Sequence, residues 1–397
     1  MHGARKKWIA AATGSAALAV IVAGAMLRHR PRAPAGLPVA SGAPRAHPPG
    51  SRAASTAAEA RNATRTARTD AVEVEICGRG KVLLDRSDDF AAIRFLEATT
   101  KPAWERWLAA MLNSDDTRAR AAGLLLQGKI GNGGLVGNLM TEQSRDELVQ
   151  LAAGAGDPAV YAMAVYACGT LSVPLGGSCS RISLSAWAAL DPGNAVPWLA
   201  LAAAARSSHD VAGEAVAFAR AASADSFQAY NFSLLAFAEP ELPKETTPLE
   251  RAYFSAGIMG VMAALPSPGN GVESKHCSGD STQHPAVHQG CSALAELMVS
   301  KGTTVVDLSV GTNLGERLGW PKPRVEALRQ ERDALMGAIV QAAPDSKDPW
   351  SCKSVARHNA YMGRFTALGE VAAAREALER SGEDVLEVSR RPLDASR

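Results

Sequence analysis

Four residues of metal-ligating type, Cys277, His284, His288 and Cys291, lie close together along a chain of 397 residues. In the order Cys-x6-His-x3-His-x2-Cys they offer the sulfur and imidazole ligands that zinc prefers. The spacing of His284 and His288 also sets both rings on one face of a helix. Pro285 stands between the histidines, Ser, Gly and Asp surround them, and the first gap exceeds common zinc spacings. The same two cysteines therefore read first as the ends of a disulfide-closed loop. Gly279-Asp280-Ser281 beside His284 offers a serine hydroxyl and a base, but the chain has no Gly-x-Ser-x-Gly elbow. Gly128-Lys129-Ile130-Gly131-Asn132-Gly133-Gly134 could cradle phosphate through backbone N–H groups, yet it lacks the Walker pattern and reads as a connection between helices. The carboxylates are spread at ordinary helix-surface spacings, so no acid pair of glycosidase type is nominated. No catalytic residue and no cofactor is expected. The alternative function, an exported hydrolase or zinc enzyme, rests on the Cys277–Cys291 region with Ser281, His284 and His288.

All six cysteines follow a single apolar segment. Trp8 to Leu27 is twenty uncharged residues preceded by Arg5, Lys6 and Lys7, about the length that crosses a hydrocarbon core. It reads as a retained signal anchor, with cleavage after Ala23-Gly24-Ala25 and secretion as the alternative. Residues 28–70, rich in Pro, Ala, Ser, Thr and Arg, hold hardly a large apolar side chain, so they form a disordered linker. An even number of cysteines confined to the exported part suits disulfides in an oxidising compartment. The expected pairs are local, Cys168 with Cys179 and Cys277 with Cys291, with Cys77 and Cys352 joining the ends of the body. There is no Cys-x-x-Cys redox pair and no Cys-x-x-Cys-His for haem.

With 47% hydrophobic and 21% charged residues the composition is globular. A net charge of +2 argues against a dedicated nucleic-acid binder. That near-neutral total divides into a head of 11 Lys/Arg against 2 Asp/Glu over residues 1–70 and a body of 31 against 38. The basic head suits anionic lipid or a polyanionic polymer. The excess of Arg over Lys and the high alanine content fit a GC-rich bacterial genome, which places the anchor in the inner membrane and the body in the periplasm.

The elements that must position these residues are helices, apart from a short β-hairpin near residues 72–84. Helices are expected at about 87–98, 101–113, 115–128, 142–153, 158–168, 181–190, 195–206, 209–223, 227–238, 247–264, 286–300, 321–341 and 351–380, with breaks at Gly/Pro/Asp/Asn clusters. A register of 34 residues runs through part of this set: Asp157-Pro158 recurs as Asp191-Pro192 and, more weakly, as Asp225-Ser226. Trp198, Leu201 and Ala202 are matched by Phe232, Leu235 and Ala236, and Ile182 and Leu184 by Val216 and Phe218.

Over residues 157–240 this pattern resembles the tetratricopeptide repeat. It departs from that family at Glu214, where a small residue belongs, and at Ser226, where the closing proline is missing. The resemblance implies an all-α helical-repeat body, an α-solenoid, whose concave groove binds peptides or proteins, with Trp187 and Trp198 as groove candidates. Taken together, the sequence divides into a membrane anchor or signal segment (1–27), a linker (28–70) and a helical body (71–397). Its expected role is a membrane-tethered, exported scaffold that binds another envelope protein or peptide.

Overall fold

The computed structural model describes residues 71–85, 88, 91–127, 140–169, 177–265, 271–279, 284–345 and 348–389. The apolar segment 8–27, the linker 28–70, the glycine-rich stretch 128–134 and Ser281 lie outside these residues. Among the described residues, no helix is long and apolar enough to cross a membrane.

The body opens with the expected hairpin, β1 (Ala71–Ile76) antiparallel to β2 (Gly80–Asp85), in a register that sets Val74 opposite Val82 and Ile76 opposite Gly80. Gly78 and Gly80 take φ of 75° and 73°, which side chains with a Cβ rarely adopt, so glycine is what lets so short a turn close. Ile76 and Leu84 are the buried side chains of the two strands. Ile76 joins Leu96, Leu249, Ala252 and Val355 in a small core of its own.

Among the described residues, the elements after the hairpin are helices. The first group is α1 (Ala91–Leu112), α2 (Thr117–Leu126), α3 (Glu142–Ala155), α4 (Pro158–Cys168) and α5 (Leu184–Leu190). It is followed by α6 (Ala195–Ser207), α7 (Val211–Ala222), α8 (Leu234–Ala238), α9 (Pro248–Ala264) and α10 (Val272–His276). The last group is α11 (Pro285–Lys301), α12 (Val305–Arg317), α13 (Lys322–Ala342), α14 (Cys352–Leu368), α15 (Glu370–Ser381) and α16 (Val385–Ser389). Side-chain caps begin many of them: Asp157 accepts from Ala159 and Val160, and Thr247 with Glu250 forms a capping box on α9. Consecutive helices pack on each other, α6 against α7 most extensively, and also α3 against α4, α11 against α12 and α14 against α15. One continuous apolar core runs through nearly all of them, from Trp104 and Trp107 to Leu378 and Val388.

The differences from expectation have local causes. The two expected helices at 87–98 and 101–113 are one helix with Pro102 inside it. The single expected helix at 351–380 is two, broken at Gly369 with φ 83° and ψ 171°. The third helix expected in the repeat, 227–238, is instead an extended stretch followed by a 3-10 turn at Asn231–Ser233 and the five-residue α8. That stretch makes isolated parallel bridges, Asn194 with Ser226 and Phe227 with Gly302. Asn194, fully buried, holds it in place: its Nδ2 donates to the Gln228 carbonyl at 2.8 Å, and its Oδ1 accepts from the Gln228 N–H at 2.9 Å.

The two Asp-Pro dipeptides also differ in role. Asp157 caps α4 and Pro158 is its first residue, whereas Asp191 ends α5 and Asn194 caps α6. Phe232 accordingly sits in the 3-10 turn, 6.4 Å from the Phe365 ring, while Trp198 sits on α6.

Candidate functional site

Three disulfides close: Cys168–Cys179, Cys277–Cys291 and Cys77–Cys352, the same pairs the sequence favours. The first two are buried, and the third, with Cys352 exposed, ties the hairpin to the start of α14. Beside it the Cys77 N–H donates to the Trp350 carbonyl at 2.9 Å.

The Cys277–Cys291 bond settles the metal question by chemistry. Zinc binds thiolates, and both sulfurs of this set are spent on each other. His284 and His288 are exposed, one just before α11 and one on it, and the His288 Nε2 lies 3.3 Å from the Leu318 carbonyl oxygen. The favoured disulfide is thus the one formed, and the rival four-ligand reading of Cys277, His284, His288 and Cys291 is left with two surface histidines.

Trp187 is likewise corrected. It is completely buried, with its ring 6.5 Å from that of Tyr166 in an edge arrangement, and so it packs the core and lines no groove. Trp198 is half-buried, and its Nε1 donates to the Pro192 carbonyl at 3.0 Å, a contact that steadies the turn before α6.

Another histidine, His276, organises the region instead. It ends α10 next to Cys277 and stacks on Phe218 of α7, ring centroids 4.0 Å apart and planes at 24°. Its Nδ1 lies 2.8 Å from Glu214 Oε1, the same oxygen that accepts from Arg206 Nε at 3.0 Å. Glu214 is buried on α7. Burial alone would raise its pKa, but the hydrogen bonds and charges of Arg206 and His276 together outweigh that and hold it below the usual glutamate value. The residue that breaks the repeat pattern in the sequence thus joins α6, α7 and α10. Alongside, Gly290 of α11 would put a Cβ 3.6 Å from the Ala222 methyl group, so α11 lies close against the end of α7.

These contacts use one face of α7, namely Glu214, Ala217, Phe218 and Ala221. Among the described residues, the opposite face is uncovered. Val211 is 78% and Val216 64% exposed, and Ala212, Ala215 and Ala219 lie between and beyond them in the open. No family model, curated protein or solved structure matches the chain. The site therefore rests on its own chemistry: a helix fixed from behind by an ion pair, a histidine that bonds and stacks, and a nearby disulfide, with an apolar, small-residue surface in front.

A second pair of residues has the types for nucleophilic chemistry but not the arrangement. Ser255 Oγ and His358 Nε2 lie 2.9 Å apart, both buried. The serine Oγ also lies 3.1 Å from the Ala252 carbonyl oxygen, and the imidazole tautomer decides which of the two side chains donates to the other. Both side chains are buried, which closes the pair off from a substrate. Burial lowers the His358 pKa to about 4, which keeps it neutral, and the pair serves to pin α9 to α14.

Sequence reasoning named Glu214 as an anomaly without seeing its partners. Glu214, Ala217, Phe218 and Ala221 fall at i, i+3, i+4 and i+7, the signature of one buried helix face, and a glutamate inside it is the signal that a cation must face it.

Proposed function

We propose that the protein is a membrane-tethered, exported helical-repeat scaffold that binds another envelope protein through the outer face of α7. The observation that carries this reading is the pair of exposed valines, Val211 and Val216, set among exposed alanines on a helix whose other face is firmly held. Contiguous exposed apolar surface on a helix marks an interaction site more often than chance decoration. The partner segment that fits is an amphipathic helix. Val211, Ala215 and Ala219 form one i, i+4 ridge and Ala212 and Val216 another, and small residues between valines let a second helix approach closely. A surface that is already rigid loses little entropy on binding.

Support for export comes from the three disulfides, which belong to an oxidising compartment. The inner-membrane anchor at 8–27 and the periplasmic body follow from the sequence. The tetratricopeptide-like reading of 157–240 is supported by the packing of α4 on α5 and of α6 on α7 and is strained by the unequal roles of Asp157 and Asp191.

The test is a photo-crosslinking amino acid placed in turn at 212, 216 and 219 of the full chain in its native cells, with Lys322, exposed on α13, as the control position. One and the same protein adduct from all three α7 positions and none from 322 is expected. Equal adducts from 322, or an adduct only with a second copy of this chain, would overturn the reading.

A further inference from the structure

Glu370 begins α15 and is 4% exposed, yet it makes a bond that belongs to another helix. Its Oε2 accepts from the Val305 N–H at 2.8 Å, capping the start of α12 across 65 residues of sequence. The main chain repeats the contact, with the Val371 N–H donating to the Thr303 carbonyl at 3.4 Å. In the same turn Asp307 Oδ2 accepts from the N–H groups of Thr303 and Thr304 at 3.0 and 2.9 Å. Two carboxyl groups therefore meet at one helix start.

The groups around them are Tyr361 from α14, whose buried hydroxyl has no hydrogen-bond partner among the described residues and which senses the Glu370 charge, and Tyr166 from α4, which senses Asp307. Nearby cations are committed elsewhere: Arg364 to Glu376, and Arg375 to Glu331. Lys301, one turn before, is exposed. The junction thus has one buried acid, one partly buried acid and two phenols, and among the described residues it has no cation paired with either acid.

We propose that Glu370 is a proton-operated latch: protonated, it closes α15 onto the start of α12, and ionised, it faces Asp307 without a cation and loosens that junction. Burial pushes Glu370 from the ordinary 4.5 to about 7, against the pull of the Val305 N–H, and the Asp307 charge adds to the rise. Asp307 is pushed to about 6 by burial, but it is partly open to solvent and accepts two backbone N–H bonds that favour its ionised form, so Glu370 is the better proton carrier. The folded state binds this proton more tightly than the unfolded chain, so stability falls as pH rises from about 4.5 to about 7 and the loss is complete above that. His358 contributes with opposite sign: its lowered value makes stability rise with pH between about 4 and 6.5. The difference between wild type and a Glu370 variant isolates the latch from that background. Both tyrosines are raised and stay neutral throughout.

The experiment is urea denaturation of the full-length chain at half-unit steps from pH 5 to 8, for wild type, Glu370→Gln and Asp307→Asn, with the disulfides intact. Glutamine keeps an oxygen for the Val305 N–H and cannot ionise. Relative to Glu370→Gln, the wild-type folding equilibrium constant should fall by up to about tenfold per pH unit across the window, the limit for one proton. Asp307→Asn should shrink that fall without abolishing it. Hydrogen exchange on the same proteins, corrected for intrinsic rates, should show the backbone around 303–306 and 370–374 opening at pH 8 in wild type only. Parallel pH profiles for wild type and Glu370→Gln would overturn the proposal. If Glu370→Gln does not fold, an Asp307→Asn profile identical to wild type overturns it instead.

Discussion

Two of the buried glutamates of this molecule, Glu214 on α7 and Glu370 on α15, solve the problem of burial in opposite ways. On α7, Glu214 meets Arg206 and His276 and is held ionised. On α15, Glu370 meets a backbone N–H, a second acid and a phenol, and is held protonated up to about pH 7. A buried charge must be paired or neutralised, and the choice decides what the helix can do. The paired charge makes α7 a fixed platform whose outer face is free for a partner. The neutralised one makes the α15 contact conditional on a proton.

The contrast can be broken from the α7 side first. Replacing both members of the Cys277–Cys291 bond by serine frees the loop that begins beside His276, and should cost about 3 kcal/mol, the usual scale for a loop of this length. Urea denaturation at pH 7 measures it, and the Glu214 pairing should loosen with it. Next in size, Arg206→Ala leaves Glu214 with the histidine alone and should cost about 2 kcal/mol at pH 7, the worth of a charge-assisted hydrogen bond. The same substitution should cost less near pH 4, where Glu214 takes up a proton in place of its partner. A loss independent of pH would mean that Arg206 matters through packing only.

From the other side, Glu370→Gln should raise stability above pH 7, on the order of 1 kcal/mol, since it removes a carboxylate that has no counter-charge there. Smallest of all is Val216→Glu on the bare face of α7. Its stability effect should stay within about 0.5 kcal/mol, as for exposed positions generally. Its effect on partner cross-linking should be near-complete loss, because a charge replaces the apolar contact. A large stability loss from this substitution would mean that the face is covered within the protein itself.

How much of this was legible beforehand differs between the two helices. The boundaries of α4, α6, α9 and α11 follow from their Asp, Asn, Thr or Pro starts and their apolar faces, and the sequence reads them within two residues. The cysteines were readable because two of the three pairs are local and the third is what remains. α12 escaped notice, since Val305 and Val306 with Gly311 and Gly315 have low helix propensity. Tertiary packing explains those glycines: a methyl group at Gly311 would press on Met298, and one at Gly315 would overlap the Trp320 ring. Across the 34 residues of the register, Asn194, the cap of α6, bonds Gln228 in the extended stretch before α8. Val216 matched buried Ile182 in the register and yet points to solvent. Glu370 gave no signal, because its partners come from a helix start 65 residues away.

The opposite protonation of the two glutamates is the central claim, and infrared difference spectroscopy of the native full-length protein tests it most directly. At pH 6 the wild type should show the carbonyl stretch of a buried protonated carboxylic acid. That band should lose its larger part in Glu370→Gln, with the remainder belonging to Asp307 and disappearing in Glu370→Gln/Asp307→Asn, and it should persist unchanged in Glu214→Gln. A wild type without the band at pH 6, or a band that disappears with Glu214 and not with Glu370, would contradict the account.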